Sequence, residues 1–309
     1  LKEKNKKTKL VIIGTKIRRN KVIKIEQGKK YLITGGAGFL GGELIERILN
    51  QGGEVITVSR NEGKLIELKS KYKDSKLEIH TGDICDEFTL PRLMQGITGV
   101  FHLAAFKHVG LAETQGRECI KSNVIGSMNV LEQAVKNDVE FVIGISTDKA
   151  AQVSGTYGAT KYLMERMFTQ FEQDYPQTKF RIVRYGNVLY STGSVLCIWK
   201  DKLQKGEEII VTDPEATRYF WTLDQAVDLI FDCMENATTS HFHFPSMKSM
   251  SMGNLLNAMA DKYLPEGQEL KVKTIGLQIG ENLHEKISED GLYSNEAEQF
   301  TIEEIKELI

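Results

Sequence analysis

From Lys30 onward, short apolar runs alternate with amphipathic stretches. Six runs read as strands: Tyr31–Thr34, Val55–Val58, Leu77–His80, Val100–Leu103, Phe141–Ile145 and Phe180–Arg184. Between them, apolar residues fall at three- and four-residue spacing, as at Leu40, Leu44, Ile45 and Ile48, which marks one face of a helix. Regular alternation of the two patterns predicts an α/β chain built on a doubly wound parallel sheet. Residues 29–188 are expected to form this dinucleotide-binding domain. Past Val188 the order changes, and residues 189–309 read mainly as a smaller substrate-binding domain, with segments at about 222–244 returning to pack on the sheet. Residues 1–28 stand apart as a basic extension. Within it Leu10–Ile13 and Val22–Ile25 have the length of two short strands around a turn at Asn20, and no chemistry attaches to them.

The 309 residues, 41% hydrophobic and 27% charged, suffice for one large core or two modest ones. The net charge of -2 hides an asymmetry, because residues 1–30 carry 12 Lys and Arg against 2 Asp and Glu. The basic run reads as a solvated lead-in or an oligomer arm rather than a nucleic-acid or lipid contact. Cys85, Cys119, Cys197 and Cys233 are widely spaced with no CxxC pair, which argues against a zinc site or a disulfide framework and fits a reducing cytoplasm. No apolar run approaches the ~18 residues of a membrane span, so no membrane partner is expected. His241 and His243 alternate along a strand-like stretch without a third partner, and no metal is expected.

The first strand runs into TGGAGFLGG, with Gly35, Gly38 and Gly41 at the turn and the opening of the first helix. Glycines there let backbone N–H groups approach a pyrophosphate, which then sits at the positive end of the helix. After the second strand come Ser59, Arg60 and Asn61, where an acidic side chain would suit the ribose of NAD. Arg60 suits a 2′-phosphate, which favours NADP over NAD; a surface arginine is the alternative. Asp83, in TGDI after the third strand, is placed either to meet the adenine or to cap the helix that follows.

The stretch Ser146–Lys161, STDKAAQVSGTYGATK, carries the candidate chemistry. Tyr157 and Lys161 are four apart, so on a helix they share one face. An ammonium near a phenol favours the phenolate, which can take a proton from a sugar hydroxyl. Ser146 ends the preceding strand, where its hydroxyl is placed to bond the same substrate oxygen. Thr147, Asp148 and Lys149 follow directly and add an acid and an amine.

TGGAGFLG, the HLAAFKH segment His102–His108, Asn123, the YxxxK pair and RYGNV at Arg184–Val188 resemble the extended short-chain dehydrogenases/reductases that act on nucleotide sugars. More narrowly, STDKAA, YGATK, RYGNV, TRYFWTLDQA and GENLHE resemble the inverting UDP-N-acetylglucosamine 4,6-dehydratases of bacterial polysaccharide and flagellar-sugar pathways. The resemblance spans roughly residues 28–290. It implies cofactor contacts from Thr34, Gly35, Ala37, Gly38, Phe39, Leu40 and Gly41, then from Ile84 beside Asp83. Leu103, Ala104, Ala105, Lys107 and Asn123 would follow, with Tyr185, Gly186, Asn187 and Val188 at the nicotinamide end. On the UDP-sugar side it implies Lys107, His108, Thr147, Asp148, Lys149 and Asn187. Ser194 and Val195 join them, Ser194 with the alternative of a helix cap, as do Thr212, Glu281 and Arg218, the last as a diphosphate clamp. A homo-oligomer, dimer or hexamer, is also implied.

The reaction so implied is oxidation at C4 through Tyr157 and Lys161, loss of water across C5 and C6, and return of hydride to C6, with inversion at C5. Dehydratases of dTDP-glucose typically carry Asp then Glu where this chain has Asp148 then Lys149. On the resemblance Lys149 is the C5 base and Asp148 the acid. A basic Lys149 must be neutral, which calls for desolvation or a neighbouring cation, with Lys107 and Lys161 as candidates. The chain departs from the family at Ala150–Gly155, AAQVSG in place of AANPIN, and at Gln278 and Ile279 in place of Arg-Pro. Two other readings stand beside the dehydratase: a nucleotide-sugar 4-epimerase or 5,6-dehydratase, and a non-catalytic binding protein of the same fold.

Overall fold

A computed structural model describes residues 25–73 and 75–309. Of the two strands expected near the N-terminus, Leu10–Ile13 and all of Val22–Ile25 but Ile25 lie outside the described residues. The chain runs β1 (Lys30–Thr34), α1 (Phe39–Asn50), β2 (Glu54–Ser59), α2 (Glu62–Lys71), β3 (Leu77–Thr81), α3 (Thr89–Leu93) and β4 (Gly99–His102). It continues through α4 (Val109–Thr114), α5 (Gly116–Ile120), a π turn at Lys121–Ile125, α6 (Gly126–Lys136), β5 (Phe141–Thr147), a 3-10 turn at Asp148–Ala150, α7 (Thr156–Asp174) and β6 (Lys179–Tyr185). The remainder is β7 (Asn187–Val188), α8 (Val195–Gln204), β8 (Ile209–Val211), β9 (Thr217–Trp221), α9 (Leu223–Asn236), β10 (Ser249–Ser251), α10 (Met252–Tyr263), β11 (Val272–Thr274) and α11 (Ile302–Leu308).

All six expected strands form, each within one or two residues of the apolar run that marks it. They pair in the order β3-β2-β1-β4-β5-β6, every pair parallel. A parallel sheet covered on both sides needs apolar residues on both faces of each strand. Tyr31 and Ile33 face the cluster that holds Leu44, Ile45 and Ile48 of α1, while Leu32 faces Val130, Leu131, Met164 and Phe168 of α6 and α7. Helix α9, in the segment expected to return to the sheet, buries Val227, Ile230 and Phe231 in the first of these clusters.

A third cluster forms the smaller lobe. Leu196, Trp199 and Leu203 of α8 meet Leu255 and Met259 of α10 and Ile305 of α11. The strand order reverses between β1 and β4, so a crevice opens outside their carboxyl ends, the usual ligand position in such sheets. The small lobe closes its far side. Among the described residues no helix is long and apolar enough to cross a membrane, and no group of three or more His, Cys, Asp or Glu is placed for a metal ion.

Candidate active site

The crevice is a cleft of about 860 Å³. All the expected cofactor and substrate residues line it except Thr34, Asn123 and Asp148.

At the nucleotide end the glycines are required by shape. Gly35 has φ +73, and a Cβ on it would lie 2.9 Å from backbone atoms of Ala104. A Cβ on Gly41 would lie 2.5 Å from Gly36 Cα, so α1 starts tight against the turn. Gly38 is the N-cap and offers no side chain, which leaves the first N–H groups of this twelve-residue helix without a side-chain acceptor. That cradle fits a dinucleotide pyrophosphate. Asp83 accepts from Cys85 N at 3.0 Å in a tight turn and caps no helix. Burial works against its charge, but that bond and the Arg60 and Lys121 cations hold its carboxyl below the usual range. Asn61 caps α2, accepting from Lys64 N at 3.0 Å. Ser194 takes the N-cap position of α8 without capping it; its hydroxyl turns to Cys197 Sγ.

Thr34 and Asn123, expected as cofactor contacts, sit behind the cleft wall. Thr34 Oγ1 bonds His102 Nδ1 at 2.8 Å and accepts from Ala104 N at 3.2 Å. Asn123 Oδ1 accepts from Phe106 N at 2.7 Å, and its Nδ2 donates to Phe106 O at 2.9 Å and Thr160 Oγ1 at 3.0 Å. Both therefore act through the loop after β4, fixing the backbone of Ala104–Lys107 that does line the cleft.

At the catalytic end, the 3-10 turn after β5 packs on the first turn of α7. Gly158 makes the contact possible, because a Cβ there would stand 2.3 Å from Lys149 O. Asp148–Lys149 is thereby brought against Tyr157. Burial pushes the Tyr157 phenol up to about 12, while the Lys149 cation and a hydrogen bond with Thr147 draw it back down and Asp148 raises it.

One expectation needs correction here. Ser146 is not the hydroxyl beside the phenol: along a strand neighbouring side chains point to opposite faces, and Ser146 Oγ donates to Glu165 Oε1 at 2.5 Å. Thr147 takes the position instead. Lys161 Nζ donates to Ile145 O at 2.7 Å, and burial brings the amine down to about 8 against the pull of Glu165. Neither Lys107 nor Lys161 is among the charges that act on Lys149. Burial opposes its charge, yet Asp148 at 3.1 Å and Glu285 at 3.5 Å outweigh both that and Arg218, and hold the ammonium above the usual lysine range. Lys107 reaches Thr192 O at 2.8 Å instead.

Arg218 lines the cleft, with its fork already shared. Nη1 donates to Thr217 O at 2.8 Å and Leu283 O at 3.0 Å, and Nε lies 3.9 Å from Glu285 Oε1. It stands beside Lys149, on which its charge acts. Glu285, which the sequence reading passed over, completes this cluster; the signal for it is the second acid of GENLHE, four residues after Glu281.

The polysaccharide biosynthesis protein family matches residues 31–306. The UDP-N-acetylglucosamine 4,6-dehydratase (inverting) of Campylobacter jejuni serotype O:23/36 is 35% identical over 263 residues, 84% of this chain and 77% of that protein. A UDP-glucose 4-epimerase of Rickettsia canadensis is 31% identical over 271 residues, 85% of this chain and 79% of that protein. Among solved structures, Pen from Bacillus thuringiensis superposes with a TM-score of 0.86 at 28% identity, covering 92% of this chain and 97% of that one. With the glycine cradle, the Tyr157–Lys161 helix and the extended short-chain dehydrogenase/reductase sheet in place, the chain belongs to the polysaccharide biosynthesis protein family.

Proposed function

We infer that this protein is an NADP-dependent 4,6-dehydratase of UDP-N-acetylglucosamine, forming a UDP-4-keto-6-deoxy sugar. The observation that carries the reading is the packing of Asp148–Lys149 against Tyr157 through Gly158. Oxidation of a hydroxyl needs only the tyrosine; a lysine held between two carboxylates beside it serves a second proton transfer, as elimination of water requires. Gly35, Gly38 and Gly41 would hold the dinucleotide pyrophosphate, and Ser59 and Arg60 the 2′-phosphate that favours NADP over NAD. When bound, the nicotinamide supplies reversible hydride acceptance. Tyr157 takes the C4 hydroxyl proton, helped by the Lys149 cation and Thr147. The Lys149 cluster then handles the C5 proton and the departing C6 oxygen.

A second reading, a 4-epimerase, is favoured by the Rickettsia canadensis relative. It has no elimination to catalyse and leaves Lys149 without a proton to move. The two readings separate when the full chain with NADP is incubated with UDP-N-acetylglucosamine and UDP-glucose and the products are weighed by mass spectrometry. The dehydratase predicts loss of one water from the N-acetylated sugar, and an unchanged mass with inversion at C4 would establish the epimerase. Lys149→Met should still give the rise in nicotinamide absorbance on adding substrate, more slowly because Tyr157 loses the neighbouring cation, while water release falls ~10²- to 10⁴-fold. Water release at the wild-type rate in this variant would remove Lys149 from the elimination.

A further inference from the structure

Two carboxylates flank Lys149, and they differ in what else they touch. Asp148 Oδ1 accepts from the Thr147 hydroxyl at 2.8 Å, from Lys149 N at 2.9 Å and from Lys149 Nζ at 3.1 Å. Its side chain is fully buried and does not border the cleft. Asp148 Oδ2 has no hydrogen-bond partner among the described residues, and its charge acts on Tyr157 and Tyr219.

Glu285 is as deeply buried and does line the cleft. Its Oε2 takes the Asn282 amide at 3.2 Å. Its Oε1 has no hydrogen-bond partner among the described residues and faces Lys149 Nζ at 3.5 Å and Arg218 Nε at 3.9 Å. A buried polar atom without a donor is costly to keep, and this one belongs to a residue that borders the cleft.

The coil that carries Glu285 is fixed from several directions. Leu283 O accepts from Thr217 N at 3.0 Å and from Arg218. Glu285 N donates to Ser294 Oγ at 2.9 Å, Ser294 N donates to Glu285 O at 2.8 Å, and Ile287 O accepts from the buried Arg184 at 2.9 Å. Such support holds a side chain to the tolerance that proton transfer demands.

We propose that Glu285 is the general acid of the elimination step, that Asp148 is a positioning residue for Lys149, and that one proton is exchanged between Lys149 and Glu285. The proposal rests on the dehydratase reading. Moving one proton from Lys149 Nζ to Glu285 Oε1 turns an ammonium and a carboxylate into an amine and a carboxylic acid, with no change in the net charge of the pair. The amine takes the C5 proton of the 4-keto sugar, and the electrons of that C–H bond become the C5–C6 double bond. The C6–O bond breaks with its electron pair on oxygen, and this oxygen takes the Glu285 proton and leaves as water. Lys149 is then an ammonium and Glu285 a carboxylate, the pair from which the step began. No further acid, base or oxidant enters.

The test uses the full chain with NADP and two substrates, UDP-N-acetylglucosamine and its 6-deoxy-6-fluoro analogue. Fluoride leaves as a weak base and needs no proton, so loss of a general acid slows water release more than fluoride release. In Glu285→Gln, water release should fall ~10²- to 10⁴-fold, and fluoride release, which still needs the Lys149 amine but no acid, should fall clearly less. Asp148→Asn should slow both leaving groups alike, because it disturbs Lys149. If Glu285→Gln does not fold, Glu285→Asp carries the same comparison, with a smaller oxygen-selective loss expected. Equal slowing of both leaving groups in the Glu285 variant, unimpaired water release, or an oxygen-selective loss in Asp148→Asn would each overturn the proposal. Failure of the dehydratase reading itself would appear in the wild type, as no release of water or fluoride, and would take the proposal with it.

Discussion

At the scale of single residues, charge placed at a contact point decides which ligand the cleft prefers. Arg60 borders the cleft and its cation acts on Asp83, so both mark the adenosine end. Arg60→Ala should weaken NADP by about 1.5–3 kcal/mol, the value of a lost charge-assisted contact, and leave NAD nearly unchanged. Titration of both cofactors by fluorescence checks this, and equal losses would show that Arg60 does not read the 2′-phosphate. Arg60 was legible because its position after β2 is fixed by local sequence. Ser146 and Thr147 were not separable in the same way. Either hydroxyl suits the chemistry, and only the strand's phase, which turns Ser146 to Glu165 and Thr147 to the phenol, distinguishes them. Lys149 was legible as a site residue while its second carboxylate neighbour was not, because Glu285 reaches it from a segment remote in sequence.

At the scale of elements, the active site depends on how closely the 3-10 turn at Asp148–Ala150 approaches helix α7. Gly158 sits inside that helix, where alanine is intrinsically better by about 1 kcal/mol. A Cβ there meets a backbone carbonyl at 2.3 Å, which no side-chain rotation relieves. Overpacking of this kind costs ~1–3 kcal/mol, so the clash should win: Gly158→Ala should be destabilised by up to about 2 kcal/mol in a urea melt. Turnover should fall more than stability explains, because Lys149 moves off Tyr157. A variant as active and as stable as the wild type would show that the turn yields freely. The six strands and their helices were readable from periodicity, since each buries its own apolar positions. The coil 282–294 has no periodicity. Its place is set by long-range hydrogen bonds with Thr217, Arg218 and Arg184, which leave no local trace.

At the scale of the whole molecule, one buried ion pair joins the sheet to the end of the chain. Arg184 on β6 is fully buried, grips Glu165 of α7 through Nε at 2.9 Å and Nη2 at 2.5 Å, stacks on the Phe242 ring at 3.7 Å and donates to Ile287 O. Removing one partner leaves the other's charge buried, which typically costs ~3–5 kcal/mol. Arg184→Met should lose about that much in denaturant unfolding, and Arg184→Met with Glu165→Gln should recover part of it. A double variant no better than the single one would assign the loss to packing rather than charge. The same arrangement divides the enzyme's capabilities by chain position. Tyr157, Lys161, Asp148 and Lys149 come from one contiguous stretch that completes itself as soon as β5 and α7 fold. Glu285 comes from the coil 282–294, which is held against β9 and β6 by Thr217, Arg218 and Arg184. With Glu285 as the proposed acid, altering that coil would remove the proton that leaves with the C6 oxygen while the C5 base and the nucleotide cleft stay in place.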